Sequence, residues 1–192
     1  TVNGARALVV DAEGTATFLG TVGNSTALTS LVSSGPTILS GGTVATTGAQ
    51  TYAALTLGAN TTLSSSSNGA IWLNGAVDST AGQSLTINTG GVTGFAGGVS
   101  GLGSLTTNAA GSNAINCSIS TLGNLALGGS STLGQPAITL TSASGSIALG
   151  AVDGAADLTL NAANVALGGQ VGGTTALASL TAAGTVVISG GG

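Results

Sequence analysis

The sequence predicts an all-β protein, a parallel β-helix (β-solenoid) of about 18–20 residues per coil. Three observations lead there. Glycine, threonine and serine make up 87 of the 192 residues, while only six side chains carry formal charge. Whole phrases return at intervals of roughly 75 residues, and apolar landmarks within them return at intervals of roughly 20 residues.

The long repeat is seen when the chain is laid against itself. Phe18-Leu-Gly-Thr-Val22 with Leu28-Thr-Ser-Leu31 returns as Phe95-Ala-Gly-Gly-Val99 with Leu102-Gly-Ser-Leu105, and again as Leu167-Gly-Gly-Gln-Val171 with Leu177-Ala-Ser-Leu180. Gly75-Ala-Val-Asp78 matches Gly150-Ala-Val-Asp153, and Leu85-Thr-Ile-Asn88 matches Leu158-Thr-Leu-Asn161. Residues 1–192 thus read as a single solenoid segment holding about two and a half copies of a roughly 75-residue unit. Inside that unit Leu85, Leu105 and Leu125 are evenly spaced. Each long unit is accordingly expected to contain about four coils, and the chain about nine or ten.

The local pattern supplies the strands. Ser84-Leu-Thr-Ile-Asn88, Ala137-Ile-Thr-Leu-Thr141 and Asp157-Leu-Thr-Leu-Asn161 alternate aliphatic with polar residues, the period of a strand with one buried face. Glycine, asparagine and serine interrupt these runs every few residues and provide turns. No stretch keeps an apolar stripe at helical spacing without glycine or β-branched interruption, so helix is disfavoured. Ser64-Ser-Ser-Ser-Asn68 is the weakest strand signal and reads as a turn or small loop.

Stacked coils also account for the missing charge. Equivalent residues of successive coils lie about 4.8 Å apart, so a repeated lysine or aspartate would build a like-charge ladder. Threonine, serine and asparagine can stack there and hydrogen bond along the axis. A β-sandwich, the main rival, needs large interdigitating side chains across its core. This chain has one tryptophan, one tyrosine and two phenylalanines.

Composition narrows the chemistry. Without histidine the Ser-His-Asp arrangement is impossible, and Cys117 is the one thiolate that zinc could use. No cofactor is expected, and the chain reads as non-enzymatic. Arg6 alone cannot neutralise a run of phosphates, so no nucleic-acid partner is expected. No apolar run approaches the length of a membrane span, so no membrane insertion is expected. The chain does not begin with methionine and reads as a portion of something longer. A regular Thr-x-Thr array suited to ice is absent, since Thr15-Ala-Thr17 and Thr139-Leu-Thr141 are separated by variants.

Few residues stand out as candidate sites. Asp78 and Asp153 occupy matching places in the long repeat and are expected to cap turns by accepting backbone N–H bonds. Cys117 is expected to be a buried, inert thiol. Tyr52 and Trp72 are the candidate lateral or glycan contacts. Alanine replaces tryptophan in the matching phrase Ser146-Ile-Ala-Leu149, which suggests an outward position for Trp72.

Val44-Ala-Thr-Thr-Gly-Ala-Gln-Thr-Tyr52, Leu55-Thr-Leu-Gly-Ala-Asn-Thr-Thr-Leu63, Gly75-Ala-Val-Asp78, Leu85-Thr-Ile-Asn-Thr-Gly-Gly91 and Phe95-Ala-Gly-Gly-Val99 follow one another in order. This succession resembles the repeat arrays of large filamentous-haemagglutinin-like exoproteins. The resemblance implies a right-handed β-helical shaft from a secreted or cell-surface bacterial adhesin, serving as spacer, fibre or matrix component, with no catalytic residues to carry over. Its expected partners are neighbouring repeats of the same chain, copies of itself, or a host or matrix glycan. A self-assembling surface-layer, sheath or filament subunit and a glycan-binding β-helix are the alternatives.

Overall fold

Each circuit of the chain crosses three faces. Thr61–Ser65 lies on face I, Ile71–Leu73 on face II and Val77–Ser79 on face III, before Leu85–Thr89 returns to face I. The computed structural model describes residues 1–190. Within them 19 strands, all paired in parallel, wind into a β-solenoid of about nine turns with roughly 21 residues per coil. No helix occurs among the described residues. The coil is slightly longer than the leucine spacing suggests because turns differ in length. The step up the ladder from Ser112 to Ser130 is short, whereas the step from Ala7 to Ser30 takes a longer stretch of chain.

Columns of aliphatic side chains fill the interior. On face I, Leu85, Leu105 and Leu125 stand in register, followed by Ile147 and Val165. Leu55, Val77, Val99, Ile119, Leu140 and Leu160 do the same on face III. Face II stacks Tyr52, Leu73, Phe95, Ile115 and Leu133. Each buried aliphatic side chain contributes on the order of 1.5–3 kcal/mol, and it does so only when neighbouring coils cover it.

Polar residues also enter the interior, at strand ends such as Thr46, Ser65 and Thr89 on face I and along one column of face II. Gln50, Thr93, Asn113 and Ser131 share a face II column with Ile71 and Val152, and all four are buried. Their polar atoms are satisfied locally. Gln50 Nε2 donates to Ser64 O at 2.9 Å and Thr46 Oγ1 at 3.2 Å, and Asn113 Nδ2 donates to Gly128 O at 2.8 Å. Buried side-chain nitrogen and oxygen atoms without a partner are absent among the described residues.

The long repeat does not contain a whole number of coils. Leu31 lies on face II, paired with the strand Ala7–Val10 below and Gln50 above. Its counterpart in the second long unit, Leu105, lies on face I, and the counterpart in the third, Leu180, lies on face III above Leu158. Between successive counterparts the chain makes eleven face passages, or three and two-thirds coils rather than four. The same phrase is therefore presented on each of the three faces in turn. Local bonding travels with it: Thr46 Oγ1 donates to Gly48 O at 2.6 Å after a face I strand, and Thr121 Oγ1 donates to Gly123 O at 2.7 Å after a face III strand.

The serine run is partly strand. Thr61–Ser65 continues the ladder through Ser64 and Ser65, with Ser65 buried, and the turn begins only at Ser66. Ser65 Oγ donates to Thr47 O at 3.1 Å and accepts the Gly69 N–H at 2.9 Å, so the small hydroxyl holds the corner. Asn68 ends the turn at a φ of 60°, a left-handed conformation that asparagine tolerates better than most residues.

Candidate functional site

The repeat-equivalent acids sit on different faces. Asp78 pairs in register with Thr56 on face III, and Asp153 pairs with Thr132 on face II. Both accept backbone N–H bonds. Asp78 Oδ1 takes the N–H of Ser79 at 2.7 Å, whereas Asp153 Oδ1 reaches up one coil to the N–H groups of Thr174 and Thr175 at 2.8 and 3.2 Å. Asn3 occupies the preceding equivalent position and accepts the N–H groups of Ser25 and Thr26 at 3.0 and 3.5 Å. Asp153 and Asn3 thus cap turns of the next coil, a task that the neutral amide performs as well as the carboxylate. No group of three or more potential metal-ligating side chains is found among the described residues.

Tyr52 is inside the solenoid, which corrects its reading as a lateral or glycan contact. It is fully buried, and its hydroxyl donates to Gln50 Oε1 at 2.9 Å. Parity explains the placement: Gln50 and Tyr52 are two residues apart on one strand and point to the same side. Burial without a compensating charge pushes the phenol well above its ordinary pKa.

Trp72 lies on the flank. It stands between the buried Ile71 and Leu73, facing outward and half-buried. The next coil places Gly94 directly above it in register. A Cβ added to Gly94 would overlap the six-membered ring of the indole, so the ring lies across the space that a side chain there would fill. Cys117 is half-buried, packed against the core, and burial pushes its thiol up to about 11.

A shallow groove of about 400 Å³ runs along the outside of the corner between faces I and II. Ala45, Ser64 and Asn88 are successive rungs of one outward column, and Asn108 follows directly after Thr107, the partner of Ile87. Asn68 and Gly90 line the neighbouring side. No ionisable side chain borders it. Asn88 and Asn108 recur at the coil spacing in the sequence, but Asn68 reaches the groove from the corner turn below and carries no such signal.

No family profile, curated protein or solved structure matches this chain. The fold alone defines the class: a charge-poor, three-faced parallel β-solenoid. No helix of the described residues is long and apolar enough to cross a membrane.

Proposed function

We propose that this chain is a non-enzymatic shaft segment of a secreted or cell-surface bacterial adhesin or fibre. The observation that carries this reading is the rotation of the long repeat. A unit that returns on face II, then face I, then face III places its surface features around the axis instead of concentrating them on one side. That arrangement suits an element whose task is length. Each additional unit of three and two-thirds coils extends the shaft by about 18 Å. The resemblance to filamentous-haemagglutinin-like repeats supports the extracellular setting.

Negative-stain imaging of the native assembly tests the proposal. Thin isolated shafts whose length grows in proportion to repeat number are expected. Periodic lattices or side-by-side bundles would replace it with the sheath or filament-subunit alternative.

A further inference from the structure

We infer that the flank comprising the Asn-lined groove and Trp72 binds an uncharged, hydroxyl-rich polysaccharide. Such binding goes beyond the shaft role, and its failure would leave the imaging result untouched. Two features of one coil lie on either side of this corner, Asn68 in the groove and Trp72 further along on face II. Asn68 and Trp72 are four residues apart, and each leans over a glycine of the coil above. A Cβ at Gly90 would overlap the Asn68 amide, and one at Gly94 would overlap the indole. The two glycines thus let an amide and a flat aromatic ring lie against the sheet.

The chemistry of the lining selects the ligand. Ser64, Asn88 and Asn108 offer hydroxyl and amide groups, each able to donate and accept, on rungs about 4.8 Å apart along the axis. One unit of an extended polysaccharide is about as long as one rung. Its hydroxyls can pair with successive rungs of the groove, while the indole, around the corner on face II, offers a stacking surface for the apolar face of a pyranose. Tryptophan presents a broad apolar surface with a polar edge, which suits such a partner. Nucleic-acid bases could stack there as well, but the groove has no cation for their phosphates. An acidic polysaccharide lacks a counter-charge for the same reason.

Trp72 is the sole tryptophan, so its fluorescence reports directly on this flank. The experiment titrates the chain with neutral probes, cellohexaose, laminarihexaose and maltoheptaose, and with polygalacturonate and oligo-thymidine as charged contrasts. The expected result is a saturable change in emission with at least one neutral probe, insensitive to high salt. Asn88→Leu, at an exposed position that leaves the core intact, is expected to weaken it roughly tenfold. Trp72→Ala, followed by calorimetry, is expected to weaken it further. No response to any neutral probe would overturn the inference. So would equal affinity in the Asn88→Leu chain, a preference for the charged probes, or an emission change that follows protein concentration alone and marks the flank as a contact between copies.

Discussion

The hydroxyl of Tyr52 donates to Gln50 Oε1 at 2.9 Å inside the solenoid, and this pair anchors a face II column that also carries the buried Thr93, Asn113 and Ser131. Gln50 carries the bond onward through its amide to Thr46 Oγ1 and Ser64 O, tying face II to the preceding and following face I strands. Tyr52→Phe removes the donor and leaves the carbonyl of Gln50 unsatisfied in the core. The expected cost is about 1–3 kcal/mol, read from the urea midpoint. Replacing both partners, with Gln50→Leu and Tyr52→Phe, is expected to cost less than the sum of the single changes, because the pair no longer leaves one member orphaned.

The same tyrosine gives the fold an alkaline limit. Its folded pKa is raised, so the neutral phenol favours the folded state. Below the unfolded value of about 10 both states hold the proton, and this contribution to stability is complete. Above it the unfolded chain loses the proton first, and stability falls by about 1.4 kcal/mol per pH unit until the folded group also titrates. Denaturation midpoints measured from about pH 9 to about pH 12 are expected to show this fall in the parent chain and to lose it in Tyr52→Phe.

Cys117 is expected to react slowly with thiol reagents. With its pKa pushed up to about 11, the reactive thiolate is scarce at neutral pH, and the half-buried sulfur is also shielded. Against a free cysteine of pKa about 8.5, the scarcer thiolate is partly offset by its higher nucleophilicity, so modification near pH 8 is expected to be roughly tenfold slower or more. Its rate should keep rising at alkaline pH values where a free thiol has reached its plateau. A rate equal to that of free cysteine would mean that this segment opens readily.

Much of the fold is legible in the sequence because a solenoid converts linear spacing into stacking. The even spacing of Leu85, Leu105 and Leu125 becomes one inward column, and the outward position of Trp72 is signalled by the alanine that replaces it in Ser146-Ile-Ala-Leu149. The rotation of the long repeat is harder to read. Self-similarity between long units reports equivalent strands but not how many strands complete a coil. Asp78 and Asp153 therefore look alike in sequence while lying on different faces. Tyr52 is misread because a hydroxyl-bearing aromatic among polar residues resembles a surface group. Its burial depends on Gln50, a polar partner that hydropathy would also put outside. The groove needs three asparagines from separate coils, and their convergence is a property of the stack.

Gly94 makes room for Trp72, so Gly94→Ala is expected to lift the indole from the sheet. A Cβ at this position overlaps the ring, and the flexible side chain can yield more easily than the backbone. The expected signature is a red-shifted tryptophan emission with a stability loss of about 1–3 kcal/mol. Gly98→Ala is the control, since a Cβ there meets nothing within 4 Å. Unchanged emission in Gly94→Ala would show that the indole does not rest on this glycine.

Charge depletion itself is open to test on face I, where Thr62, Thr86 and Thr106 form an outward column in register. Thr86→Asp and Thr106→Asp each place one carboxylate on the flank, and each alone is expected to change stability by only about 0.5 kcal/mol. Together the two charges stand one rung apart, about 4.8 Å between strands, where repulsion in a water-like medium is about 1 kcal/mol. The double variant should therefore be less stable than the single changes add up to, and the excess should shrink in high salt. Thr86→Asp with Thr106→Lys should reverse the sign of the coupling. Additive effects in both pairs, at low and high salt alike, would remove stacked repulsion as the reason that this solenoid carries so few charges.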